Sequence, residues 1–197
     1  MQLDLAFDAE AHEYKLSGVR IPSVTQVLSF GQDLSRIPRW TAERGTAFHL
    51  ATEYDDEGDL DEESVDALVR PHLEAYRKWK AATKPQFFRS EFKVWGEIAG
   101  MRFAGTIDRA VYVSAMDVAL VDLKSGSPRK EHGAQLAAYE VAFARQYGGL
   151  SVRGCKGVYC DKEGRFSERL YDGREYLETF RRKLGEWYEE NGGKDGI

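Results

Sequence analysis

A chain of 197 residues, 42% hydrophobic and 12% aromatic, has enough apolar material for one well-buried core and too little for two ordinary domains. Its formal net charge of -5, from 33 acidic against 28 basic residues, excludes recognition of nucleic acid through overall charge alone. Two cysteines, Cys155 and Cys160, exclude a disulfide framework and a four-cysteine cluster, and read best as small apolar residues in a reducing compartment.

The N-terminus lacks a basic-then-apolar leader, and no run approaches the roughly 18 apolar residues of a membrane span, so a cytoplasmic protein without a membrane partner is expected. Charge is unevenly placed. Seven of the nine residues from Asp55 to Glu63 are acidic, whereas Arg145 to Arg174 carries seven Lys or Arg against four acids. An acidic chain of this kind could still present a basic wall to phosphate.

Residues 1–37 read as a lead-in of short strands, with a turn at Ser17-Gly18, followed by a short helix that Ser23 caps. Pro38 to Tyr54 is helical in pattern and passes through Arg44-Gly45-Thr46-Ala47-Phe48-His49 before dissolving into the acidic run, expected as a solvated loop or helix start. Asp61 to Ala82 reads as a second helix despite Pro71. Alternating segments follow at Phe88 to Trp95 and Met101 to Val113, joined by Gly96 to Gly100 as a hairpin connection, and then at Val118 to Lys124, which the breaker Ser125-Gly126-Ser127-Pro128 ends. Glu131 to Tyr147 is an amphipathic helix. Two further strands, Gly154 to Cys160 and Phe166 to Tyr171, flank a turn at Asp161 to Gly164, and a helix over Arg174 to Glu190 precedes a glycine-rich tail, 191–197. The whole is expected as one domain with its core in residues 38–190. Trp40, Phe87, Phe88 and Trp95 sit at helix and strand spacing and are expected in that core.

The segment richest in chemistry is Val118 to Gly126. Side chains alternate faces along a strand, so Asp122 and Lys124 point the same way while Ala119, Val121 and Leu123 turn into the core. Alone, such a pair is usually a strand-end ion pair. Asp108, in Gly105-Thr106-Ile107-Asp108-Arg109 on the preceding strand, changes its weight, because an antiparallel neighbour could bring a second carboxylate beside Asp122. Two carboxylates, a backbone carbonyl and substrate oxygens form a plausible shell for a hard divalent cation, and Lys124 could orient a water or stabilise charge on a phosphate. By itself Asp108 would be a turn residue or an ion pair to Arg109.

His49 lies one helical turn after Gly45, which leaves the imidazole room to act as a nitrogen ligand, and Glu53 follows one turn later as a weaker candidate. His12, His72 and His132 have no comparable setting. Gln135 and Tyr139, spaced i,i+4, stack an amide and a phenol on one helix face, where both can hydrogen-bond a phosphate or a base edge.

Taken in order, Gly45-x3-His49, Glu91, Gly105-x2-Asp108, Asp122-x-Lys124 and Gln135-x3-Tyr139 resemble the ordered signature of the RecB-like branch of the PD-(D/E)XK nucleases. The lead-in, with Tyr14 to Gly18 and Pro22-Ser23-Val24-Thr25, is similar to that of small phage exonucleases in that branch. The resemblance implies an α/β, restriction-endonuclease-like core with a central mixed sheet flanked by helices. It implies His49, Asp108, Asp122 and the Leu123 carbonyl as ligands of Mg2+, for which Mn2+ may substitute. Lys124 would serve the water, Glu91 the metal shell or a structural pair, and Gln135, Tyr139 and Ser125 would position substrate. The implied activity is DNA phosphodiester hydrolysis, by an exonuclease acting on single-stranded DNA or free ends in repair, recombination or phage DNA processing, within a bacterial host cell if phage-encoded. No iron–sulfur cluster is expected, for want of four cysteines. No ATP is expected either, for want of a Gly-x4-Gly-Lys-Ser/Thr loop, so unwinding would fall to a helicase or recombination partner. The alternatives are an endonuclease, an inactive DNA-binding module of the same fold, a hydrolase of small phosphoesters, or a structural protein whose charged motifs are surface pairs.

Overall fold

The structure, a computed structural model, describes residues 4–11, 13–33, 35 and 38–192. The lead-in boundary expected at 37, His12, and the tail over 193–197 lie outside the described residues.

The lead-in forms a small antiparallel sheet of β1 (Leu5–Asp8), β2 (Glu13–Leu16) and β3 (Val19–Ile21), followed by helix α1 (Val24–Ser29), which Ser23 caps through a full capping box with Gln26. Helices α2 (Arg39–Glu57) and α3 (Arg70–Thr83) precede the central sheet of β4 (Phe87–Ile98), β5 (Met101–Tyr112), β6 (Asp117–Lys124), β7 (Ser151–Cys160) and β8 (Phe166–Tyr171). The strands lie in sequence order; β6 and β7 are parallel, joined through α4 (Lys130–Gln146), and the other neighbours are antiparallel. Helix α5 (Gly173–Asn191) closes the described chain. This is the mixed sheet flanked by helices that the sequence led one to expect.

Alternation along β6 builds the two layers. Val118 and Leu120 face the core under α4 and α5, with Phe143, Phe180 and Leu184. Ala119, Val121 and Leu123 face the opposite core with Phe48 of α2 and Leu73, Tyr76 and Trp79 of α3. Each such large side chain contributes about 1.5–3 kcal/mol by leaving water. Cys155 and Cys160 are buried free thiols, one in each core.

Four elements differ from the sequence reading. The helix expected over 61–82 begins only at Arg70, with Pro71 in its first turn, where a missing N–H costs nothing. Upstream, the Asp61 carboxylate accepts from Glu63 N at 3.0 Å and the Asp66 carboxylate from Leu68 N at 2.7 Å, so side chains hold turns in place of a helix. Conversely α2 continues through Asp55, Asp56 and Glu57 to Gly58, whose φ of 76° ends it, because Arg77 and Lys80 of α3 pair with Asp55, and Lys80 and Arg109 with Asp56. The β4–β5 connection shrinks to Ala99 and Gly100, both left-handed as a tight hairpin turn requires. Trp40 is 51% exposed rather than in the core, one face of its ring taken up by the Arg44 guanidinium one helical turn away, at 5.1 Å. Trp95 is buried, and Phe87 and Phe88 are half-buried.

Candidate metal centre and active site

Three acidic residues line up across three adjacent strands. One step beyond the Arg109–Val121 pair, Asp108 of β5 is level with Asp122 of β6. Between the Ser90–Arg109 and Phe92–Ile107 pairs, Glu91 of β4 is level with Asp108. Glu91 has φ 44°, a left-handed conformation that costs a non-glycine residue about 1–2 kcal/mol. Strain of this kind persists where surrounding contacts over-determine it, and here they aim the carboxylate at α2. His49 Nδ1 lies 3.6 Å from both Glu91 Oε1 and Asp108 Oδ2. One donor atom from each of His49, Glu91 and Asp108 lies within 4.8 Å of the others.

Asp122 is set deeper, with its side chain 1% exposed. Lys124 Nζ donates to its Oδ1 at 2.8 Å and lies 2.7 Å from Oδ2, which receives no hydrogen bond of its own although buried. Asp108 Oδ2 accepts the Leu123 N–H at 2.6 Å, so the carboxylate stitches the end of β6 to β5 where backbone pairing stops. Leu123 turns its side chain into the α2–α3 core. Burial pushes the Asp108 and Asp122 carboxyls up, each partly offset by Lys124 and, for Asp108, by His49. Burial works against charge on Lys124 and His49 too, yet the surrounding carboxylates outweigh it and hold both above their ordinary values. A crowd of anions around few cations is the electrostatic condition that favours a divalent cation. Carboxylate oxygens of Glu91 and Asp108 with one imidazole suit a hard ion such as Mg2+ or Mn2+.

A cleft of about 400 Å³ opens onto this group. His49, Glu91, Asp108, Lys124, Gln135 and Tyr139 line it, together with Phe7, Tyr14, Ser23 and Thr25 from the lead-in. Tyr14 and Thr106 are joined through their hydroxyls at 2.8 Å, fixing the lead-in to β5 at the cleft wall. On α4, Gln135 Nε2 donates to Tyr139 Oη at 3.2 Å, which leaves the phenolic proton free for another acceptor; burial pushes that phenol well above its ordinary range. Asp122 and Ser125 are not among the lining residues. The Ser125 carbonyl instead accepts from Arg44 Nη2 at 2.9 Å, tying the loop after β6 to α2. Glu53 is half-buried one turn beyond His49 and also lies outside the lining.

The sequence reading passed over Arg109, except as a partner for the Asp108 carboxylate. Its guanidinium meets the carbonyl of Asp108 instead, and the carboxylates of Asp56 and Glu91. A charged residue set among Ile107, Ala110 and Val111 was the available sign that it is buried. Four of the seven basic residues of the later segment have partners of their own: Arg145 stacks on Trp95, Arg153 pairs with Asp117, Lys156 with Glu168 and Arg165 with Asp161. None lines the cleft.

The family model described as the PD-(D/E)XK nuclease superfamily matches residues 55–194, a stretch that takes in Glu91, Asp108, Asp122, Lys124, Gln135 and Tyr139 and begins after His49. Among solved structures, a candidate exonuclease from Eubacterium rectale is similar with a TM-score of 0.59 at 11% identity, over 87% of this chain and 82% of that one. An alkaline exonuclease from Laribacter hongkongensis, solved also in complex with dAMP, is similar with a TM-score of 0.49 at 12% identity, over 88% of this chain and 89% of that one. The first likeness extends to the fold. No curated protein matches the sequence.

Proposed function

The chain belongs to the PD-(D/E)XK nuclease superfamily, and from that premise we propose that it is a divalent-metal-dependent deoxyribonuclease that shortens DNA from free ends. The observation that carries this reading is the convergence of His49, Glu91 and Asp108 donor atoms at a cleft that also receives Lys124. In it, His49, Glu91, Asp108 and Asp122, with the Leu123 carbonyl, would hold Mg2+ or Mn2+. The cation supplies neutralisation and polarisation of a phosphodiester.

The remaining groups bind and orient. Lys124, kept protonated by its carboxylate neighbours, donates to a phosphate oxygen as negative charge develops there. Tyr139 donates its free proton to the same strand, with the Gln135 amide donating to the phenolic oxygen. Ser125, which follows Lys124 in the chain, would meet the strand outside the lining of the cleft. A cleft of about 400 Å³ is on the scale of a small-ligand site rather than of a duplex, which favours a single strand or a frayed end. Service in repair, recombination or phage DNA processing, with unwinding left to a partner protein, is the biological setting this chemistry fits.

Cleavage of end-labelled linear and closed-circular DNA, single- and double-stranded, with Mg2+, Mn2+ or EDTA, tests the proposal. Metal-dependent shortening of linear DNA is expected, absent in Asp122→Ala and Lys124→Ala. Cutting of closed circles would make the protein an endonuclease. Binding without cutting under either metal would leave a DNA-binding module in its place.

A further inference from the structure

The geometry points to Arg109 as the residue that sets the metal-binding constellation, a positioning role that rests on the reading of His49, Glu91 and Asp108 as ligands. Its side chain is wholly buried, yet it follows Asp108 directly on β5 and reaches each of the three residues. Nη1 donates to Glu91 Oε1 at 2.8 Å and to the Asp108 carbonyl at 2.6 Å. Nη2 donates to Thr52 Oγ1 at 3.1 Å, and the Thr52 hydroxyl in turn donates to the His49 carbonyl at 2.8 Å. One rigid fork therefore holds the side chain of the first, the backbone of the second and the helical turn that carries the third.

The rest of the guanidinium is anchored away from the cleft. Nε donates to Asp56 Oδ2 at 2.8 Å, and Asp56 is fixed by the Tyr76 hydroxyl at 2.6 Å and by Lys80 at 2.5 Å. Asp56 thus supplies a fixed base for the fork, and Glu91, strained at φ 44°, is held by the fork's free end. The arrangement needs planar donors with fixed divergence. A lysine would keep the charge but could not span Glu91, the Asp108 carbonyl and Thr52 together. Groups that orient ligands in this way usually change metal affinity by about 10–100-fold when removed.

The test is metal binding read without DNA: Mn2+ or Mg2+ is titrated calorimetrically into the folded full chain, and the melting temperature of each variant is measured alongside. Arg109→Lys and Thr52→Val are each expected to raise the half-saturating metal concentration by about tenfold or more, while Thr52→Ser, which restores the hydroxyl, returns it to the wild-type value. Phe180→Leu, in the core under α5, lowers the melting temperature and leaves the half-saturation unchanged, separating lost stability from lost ligand geometry. If Arg109→Lys does not fold, the Thr52 pair carries the test. A wild-type metal response that Arg109→Lys and Thr52→Val leave unmoved overturns the positioning role alone. Absence of any metal response in the wild type overturns the ligand assignment and the positioning role with it.

Discussion

Gly105 has no side chain where Tyr139 needs the space: a Cβ there would lie 2.6 Å from ring atom Cε1 and 3.2 Å from the hydroxyl. Gly105→Ala should therefore push the ring off its seat beside the cleft, at a stability cost of about 1–3 kcal/mol and a loss of cleavage rate approaching that of Tyr139→Phe. A single-turnover assay checks this, and wild-type rates in Gly105→Ala would show that the ring's position is immaterial. Lys124 gives a second prediction, with a sign in pH. Without its ammonium, the buried Asp122 carboxylate loses its partner and its pKa, already raised above 3.8 by burial, rises further. A carboxyl with a raised folded pKa binds more protons folded than unfolded, so the deficit relative to wild type opens as pH climbs above the wild-type folded value, itself above 3.8, and levels off above the variant's higher one. Lys124→Met should accordingly be close to wild type in stability near pH 4 and weaker by about 3–5 kcal/mol near pH 8. Denaturant melts at the two pH values measure it; a deficit independent of pH would mean that Asp122 does not carry the penalty.

At the scale of elements, the lead-in sheet is a wall of the cleft rather than an appendage. It packs Tyr14, Leu16 and Ile21 on Trp95 and Ala104, and the Ala104 N–H donates to the Pro22 carbonyl at 2.9 Å. Leu16 is 1% exposed, so Leu16→Ala should cost about 2–4 kcal/mol. That loss should appear in hydrogen exchange as early opening of β1–β3, while β5 and β6 stay protected; uniform loss of protection would show one cooperative unit instead. What the sequence revealed follows the same division. The Asp122–Lys124 strand was legible because β6 alternates between two apolar cores and lets no other residue share the polar positions. The extent of α2 was not legible, since whether Asp55 and Asp56 end a helix or continue it depends on Arg77 and Lys80 of another helix. Arg109 was least legible of all: its partners Glu91, Asp56 and Thr52 lie 18, 53 and 57 residues away, beyond the reach of any local pattern.

For the whole molecule, the question is how a chain of net charge -5 would hold a polyanion. Among the described residues, Lys124 is the one Lys or Arg lining the cleft, and the basic residues from Arg145 to Arg165 are engaged with carboxylates or a ring. Counterion release scales with the number of phosphates met by such cations, with a slope of about -0.7 per contact for single strands. A cleft with one lysine should therefore give a shallow dependence of affinity on monovalent salt, no steeper than about -2 on logarithmic axes. On the proposed reading a divalent cation would supply much of the attraction, because Glu91, Asp108 and Asp122 without it present anions to an anion. Binding of a single-stranded oligonucleotide to Asp122→Asn, slowed in cutting, should weaken at least about tenfold when Ca2+ is replaced by EDTA. A steep salt slope together with EDTA-insensitive binding would locate the DNA on a basic surface away from the cleft, and would favour a module that binds without cutting over a nuclease.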